Sequence, residues 1–208
     1  MTASYLETER EERGHTMKPI TLDDILTNEE YNAVRNDRRA QSTAHKGVRR
    51  IVLGKLVMMT FESRDTMLYQ IQEMMRVEHI SDQVAIEREM ATYNELVPKK
   101  HQLVATLFVT LTNDAEMREW IPKLIGVDEA VTLNFAGQSV RATSEAGRNT
   151  EEKTSSVHYL WFDFSPEQVA AFASANEITL KVDHENYQHA EKLNRDAVLA
   201  LRDDLTRE

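Results

Sequence analysis

Apolar residues along this chain keep two rhythms, one helical and one alternating, and the switches between them mark the elements. Thr27-Asn28-Glu29-Glu30 has the form of a capping box and opens a helix through Tyr31 and Val34 that fades near Ala44. Val48 to Phe61 is rich in strand formers and is broken once, at Gly54-Lys55, so it predicts a hairpin of Val48–Leu53 and Leu56–Phe61. Ser63, Asp65 or Thr66 then caps a helix to about Ile80. Ser81 caps the next, which ends near Val97 because Pro98 follows. The short turn between them makes an antiparallel helical hairpin.

The second half alternates strand and helix. Leu103–Leu111 reads as a strand, and Asn113-Asp114-Ala115-Glu116 caps a short helix that stops at Gly126. Ala130–Phe135 and Ser139–Thr143 flank Ala136-Gly137-Gln138 as a hairpin. Residues 144–154 are polar with no apolar anchor and predict a mobile loop. Ser156–Phe164 is a strand, and Ser165-Pro166-Glu167-Gln168 opens a helix with Pro where a missing N–H does no harm. Ile178–Val182 is a strand, and a last helix is expected from about Tyr187 to Leu205. The class is α+β, a largely antiparallel sheet covered by the helical hairpin and further helices. Residues 1–16, with the run Glu7-Thr8-Glu9-Arg10-Glu11-Glu12-Arg13, have no apolar face and predict a disordered extension; 17–208 is expected to be a single α+β domain.

Composition narrows the chemistry. With 25 Lys+Arg against 35 Asp+Glu the net charge is −10, which argues against a protein built to grip nucleic acid. Zero Cys removes disulfides, thiolate metal sites and cysteine nucleophiles. No apolar run approaches the roughly 20 residues of a membrane helix, and the N-terminus lacks a signal-peptide pattern, so a cytoplasmic protein is expected. Gly is scarce, at 6 residues, and neither a phosphate-binding glycine loop nor a Gly-x-Ser-x-Gly elbow occurs. The nine Met cluster at helical spacing, which suits core filling first and a peptide-binding surface second.

Charges fall where an apolar stripe should be. At about 100° per residue, Met67, Leu68, Ile71, Met74 and Met75 share one sector of the 64–80 helix, and Arg64 and Glu78 share it too, one at each end. Gln70, Glu73 and Val77 lie along a flank, and Arg76 on the far face. In the next helix Glu89 lies among Ile86, Met90, Tyr93, Leu96 and Val97. Folding the hairpin about Ser81 sets residue 89 level with residue 73, so Glu73, Glu78 and Glu89 are expected near one end. A carboxylate in an apolar site costs several kcal/mol unless it is paired, protonated or metal-bound. Structural pairing with Arg64, Arg49, Arg50 or Lys46 is one reading, a functional pocket is another, and a stripe of different width that leaves Glu78 on the rim is a third.

Two histidines extend the pocket reading. His184 follows the strand Ile178–Val182, in a short loop with Asp183, Glu185 and Tyr187. Imidazole and carboxylates there could hold Zn or Fe or exchange protons, though no His-x-x-x-His or Glu-x-x-His spacing is present. His158 alternates onto the more apolar face of its strand with Leu160, Phe162 and Phe164, the position of a satisfied core histidine or of a pocket histidine. The candidate pocket is Glu62, Arg64, Gln70, Glu73, Glu78, His158, His184 and Tyr187; candidate metal ligands are Glu73, Glu78, Glu89 and His184.

Several stretches resemble an uncharacterised bacterial family. They are Met17-Lys18-Pro19-Ile20-Thr21-Leu22-Asp23-Asp24-Ile25, Phe61-Glu62-x-Arg64-Asp65-Thr66-Met67, Gln70-Ile71-Gln72-Glu73-Met74, Arg76-x-Glu78, Tyr93-Asn94, Lys153-Thr154-Ser155-x-Val157-His158 and Asp183-His184. The family is the domain-of-unknown-function family thirty-five-oh-one, and the likeness runs over 17–208. Ser63 stands where the family has Asn, and Glu185 where it has Pro. Family genes often neighbour genes for rubrerythrin-like and iron–sulfur oxidoreductase-like proteins, so the resemblance implies redox or oxidative-stress metabolism. It carries no catalytic residue. The expectation is therefore a cytosolic accessory or binding protein with a polar Arg/Glu/His pocket. The alternative is an Fe- or Zn-dependent enzyme acting on a small oxidised or carbonyl substrate. A third possibility is structural ion pairing, with function on the outer surface.

Overall fold

The computed structural model describes residues 18–150 and 152–206; the expected N-terminal extension, 1–16, lies outside them. Packing divides the chain into two compact units. The first comprises residues up to Gly47 and Glu62–Lys100, and the second Val48–Phe61 and His101–Thr206. The α+β class holds, with six α-helices and two antiparallel sheets among the described residues.

The first unit is helical. Helix α1 (Asn28–Arg49) starts where Thr27 and Glu30 bond reciprocally, as the capping box predicts, and it runs some five residues past the expected end at Ala44. After the second unit's strands β1 (Arg50–Leu53) and β2 (Val57–Phe61), the chain returns to form α2 (Arg64–Val77) and α3 (Gln83–Asn94). The Ser63 side chain caps α2 by accepting from the Thr66 N–H. Asp82, not Ser81, caps α3. Met67, Ile71 and Met75 of α2 are buried with Ile20, Tyr31, Leu96 and Val97. Two side-chain amides strap residues 20–26 in place: Asn94 bonds both the N–H and the C=O of Ile20, and Gln72 both those of Leu26. Each amide thereby satisfies a donor and an acceptor that no helix or strand would satisfy.

The second unit is a sandwich. It adds β3 (Gln102–Val109), α4 (Asp114–Trp120), β4 (Val131–Phe135), β5 (Gln138–Arg141), β6 (Thr143–Ser144), β7 (Val157–Asp163), α5 (Pro166–Ser174), β8 (Ile178–His184), β9 (Tyr187–Lys192) and α6 (Arg195–Thr206). One sheet has the order β1-β2-β3-β7-β6 and the other β5-β4-β8-β9. Alternate residues turn inward, among them Val57, Met59 and Phe61 of β2, Leu160 and Phe162 of β7, and Leu180 and Val182 of β8. Phe135, Phe164 and Phe172 add edge-on and stacked ring contacts with centroids 5.0–5.9 Å apart. The single expected sheet is thus two.

One expectation fails here. Tyr187–Lys192 is a strand, paired with β8 from Thr179↔Lys192 to His184↔Tyr187, and the last helix begins only at Arg195. The polar 144–154 segment is a loop among its described residues, as expected, with Thr143–Ser144 in the first sheet and an Asn149↔Thr154 bridge. No helix among the described residues is long and apolar enough to cross a membrane.

Candidate functional site

Two polar clusters stand out, one in each unit. In the second unit Asp128 lies in a one-turn 3-10 helix, Val127–Ala130, that follows Gly126 in the left-handed conformation. It is 1% exposed, and His158 of β7 is fully buried. Four side chains form a circuit. Asn149 donates to Asp128 Oδ1 at 2.8 Å, Thr154 donates to Asn149 Oδ1 at 2.6 Å, and His158 Nε2 lies 2.9 Å from Thr154 Oγ1. The circuit is open at one place. His158 Nδ1 and Asp128 Oδ2 are 3.5 Å apart, both buried and neither with a hydrogen-bond partner. That gap exceeds an ordinary hydrogen bond. Burial pushes the Asp128 carboxyl up, but His158, Asn149 and Ser144 outweigh it and hold the carboxyl below the usual carboxylate range.

Asp, His and Thr are the residue types of an activated nucleophile, but the hydrogens are placed wrongly for one. His158 Nε2 also lies 2.9 Å from the Ser155 carbonyl, which can only accept, so Nε2 carries its hydrogen. The Thr154 hydrogen points to Asn149. No lone pair faces the Thr154 hydroxyl to take its proton, and the cluster is a structural tie.

The first unit's cluster lies along the seam between α1 and α2. Glu73 of α2 is its centre. The Tyr31 hydroxyl donates to Glu73 Oε1 at 2.7 Å, Arg35 Nε and Nη2 bond both carboxylate oxygens at 2.8 and 2.9 Å, and Arg76 Nη2 reaches Oε2 at 3.2 Å. Arg35 holds the Glu73 carboxyl down to about 2, against burial and with the help of Tyr31 and Arg76. Burial and Glu73 push the Tyr31 phenol far up. Arg35 and Arg76 remain 27% and 29% exposed. One turn before Glu73, Tyr69 is half-buried, with Lys46 of α1 over its ring at 5.8 Å from the centroid. Near the other end of α1, His45 meets Ser63, the cap of α2, at 2.8 Å.

The expected pocket residues are divided between the two units, Glu62, Arg64, Gln70, Glu73 and Glu78 in the first and His158, His184 and Tyr187 in the second. Glu62 is buried and accepts from Thr66, while Arg64 is buried and bonded to Asp24 at 2.5 Å and to the Lys18 carbonyl. Asp24 lies below the usual range: burial raises it, and Arg64 and Thr21 more than compensate. Gln70 is half-buried; Glu78 is exposed as the C-cap of α2; Glu89 is half-buried. Among the described residues no three His, Asp or Glu side chains gather in a way that could hold a metal ion; of the candidate ligands, Glu73, Glu78 and Glu89 belong to the first unit and His184 to the second. His184, the last residue of β8, bonds the Ile125 carbonyl and the Asn186 N–H. The Tyr187 hydroxyl donates to the Leu53 carbonyl and accepts from the Leu56 N–H. Arg76, expected on the far face of α2 either in solvent or against another element, pairs with Glu73 of its own helix, and Arg49 pairs with Asp204. Tyr31, Arg35, Asp24, Asp128 and Asn149 were absent from the sequence-derived pocket. Only their long-range partners reveal them, although the basic run of Arg35, Arg38, Arg39 and Lys46 on an acidic chain was a readable signal.

No curated protein matches this chain. A crystal structure of a protein of unknown function from Burkholderia pseudomallei is similar at a TM-score of 0.84 and 33% identity, covering 90% of this chain and all of that one. The family described as "Protein of unknown function (DUF3501)" matches residues 19–205. With the match running through both units, the chain belongs to the DUF3501 family.

Proposed function

We propose that this is a binding protein of the accessory kind, acting in the cytoplasm with redox partners, and that it recognises them through the α1–α2 seam. One observation carries the reading: Arg35 and Arg76, both half-exposed, converge on the single carboxylate of Glu73. Two guanidinium groups sharing one carboxylate are held in fixed orientation and keep unspent donors, which is how a recognition surface is preorganised. The buried groups best placed for chemistry, Asp128 and His158, are arranged as a tie. The redox part rests on the family resemblance and the gene neighbours it implies.

Affinity capture from native cytosol tests both parts. The full chain should retain rubrerythrin-like or iron–sulfur oxidoreductase-like proteins. An Arg35→Gln/Arg76→Gln variant with an unchanged helical circular-dichroism signal should lose them. Equal capture by both proteins would overturn the seam, and capture without any redox protein would overturn the association.

A further inference from the structure

The α1–α2 seam carries more cations than it can pair. Arg35, Arg39 and Lys46 lie within about 40° of one another around α1, and Arg76 comes from α2. Glu73 is shared by Arg35 and Arg76. Neither Arg39 nor Lys46 has a carboxylate partner among the described residues. Even with Asp65, one turn before Tyr69, counted in, cations lead acids four to two. Asp37 falls on another face of α1.

Donors are in surplus as well. Arg76 Nε is buried without a partner, and the pairing with Glu73 leaves Nη1 of Arg35 over. The Arg39 guanidinium is exposed and close enough to influence the Tyr69 phenol. A site with N–H groups left over and few acceptors to meet them selects an anion.

We propose that this strip takes an extended acidic segment of a partner protein, its carboxylates seated along Arg35, Arg39, Lys46 and Arg76. Length favours a chain over a single anion. Residues 35 to 46 span about 16 Å of helix, the reach of about five extended residues at ~3.3 Å each. The aromatic groups speak against a nucleic-acid strand. Lys46 covers a face of the Tyr69 ring and Tyr31 is buried, so no open ring pair is offered for base stacking. Charge complementarity supplies the rest: on a chain of net charge −10 this strip is a local excess of cations, which draws carboxylates to it.

The proposal rests on the seam being the recognition surface, and its test is separate from the capture experiment. A dye-labelled deca-glutamate peptide is titrated with the full chain by fluorescence anisotropy at about 50 and about 300 mM NaCl. Saturable binding is expected, weakened by salt, and reduced about tenfold or more in Arg39→Glu/Lys46→Glu. The control Lys55→Glu/Lys100→Glu changes net charge equally at exposed positions and should bind like the wild type. Three results would overturn the proposal: no saturable binding at low salt, equal loss in both double variants, or tighter binding of a ten-nucleotide oligothymidylate than of the peptide. If the peptide fails while the Arg35→Gln/Arg76→Gln variant still loses its partners, the ligand class is wrong and the recognition surface stands.

Discussion

His158 places a polar ring inside a sandwich core, and the reason it can do so lies in its neighbours. Its Nε2 hydrogen is used by the Ser155 carbonyl and the Thr154 hydroxyl, which turns the Nδ1 edge of the ring towards Asp128 Oδ2 at 3.5 Å. Removing the imidazole takes away the neighbour that does most to hold the buried Asp128 carboxylate ionised, and breaking a buried pair of this kind typically costs about 3–5 kcal/mol. His158→Leu should lose stability on that scale in urea unfolding, and adding Asp128→Asn should restore more than half of it. A double variant no better than the single would mean that packing, not charge, governs the position. Glu73 makes a pH-resolved case. Its carboxyl is held at about 2 in the fold against an ordinary 4.5. Its contribution is therefore complete above about pH 4.5 and lost as pH falls towards 2. Glu73→Gln should be less stable at neutral pH and show a shallower loss of stability between pH 4.5 and 2; parallel curves would sink the assignment. The helical wheel picked out Glu73 as a charge on a flank, but it could not supply Tyr31 and Arg35, which are 42 and 38 residues away along the chain. Arg64 was rightly placed among apolar neighbours, whereas Glu78 fell outside because α2 ends at Val77 and leaves it as an exposed cap. Asp128 sits in a 3-10 turn where no periodicity exists to mark it as buried.

Elements that announce themselves by local chemistry were legible. The caps at Thr27, Asn113 and Ser165 are where the side-chain pattern puts them, because a cap is a bond between residues three apart. Strand β9 was misread as helix for the opposite reason. Ala, Glu and Lys favour helix, and every residue of Tyr187–Lys192 after the first is exposed, so burial imposes no alternation on the sequence; only pairing with β8 makes it a strand. Its anchor is Tyr187, whose hydroxyl closes the β1–β2 turn by bonding Leu53 and Leu56. Gly54 makes room for this. It has φ +68°, and a Cβ there would meet Tyr187 Oη at 2.5 Å and the His189 ring at 2.6 Å. Gly54→Ala thus combines a left-handed penalty of about 1–2 kcal/mol with displacement of a hydroxyl that makes two hydrogen bonds worth about 1 kcal/mol each. A loss of roughly 2–4 kcal/mol is expected in denaturant melts. In a Tyr187→Phe background, where the hydroxyl and its bonds are gone, the same substitution should cost visibly less. Additive losses would show that the backbone strain or the His189 ring, and not the Tyr187 contact, is what Gly54 avoids.

Across the whole molecule, long-range repulsion and close pairing compete, and their magnitudes decide the response to salt. The chain carries 35 acids and 25 Lys+Arg, so at neutral pH it repels itself. Ion pairs such as Lys123–Glu119, Lys181–Asp183 and Lys192–Glu177 are about half exposed on both sides, where each is worth ~0–1 kcal/mol and is itself screened. The pairs that matter, Arg49–Asp204 and Arg64–Asp24, have side chains no more than 14% exposed and feel salt little. Raising NaCl from about 20 to about 300 mM shortens the screening length from about 20 Å to about 6 Å. That span reaches the distances between surface acids but not the contacts inside the units. Repulsion should fall further than attraction, and Tm at pH 7 should rise by about 2 °C or more. Near pH 5, close to the sequence pI of 5.2, the net charge is small and the same salt step should move Tm little. A Tm that falls with salt at pH 7 would mean that the exposed pairs, taken together, outweigh the excess of acids.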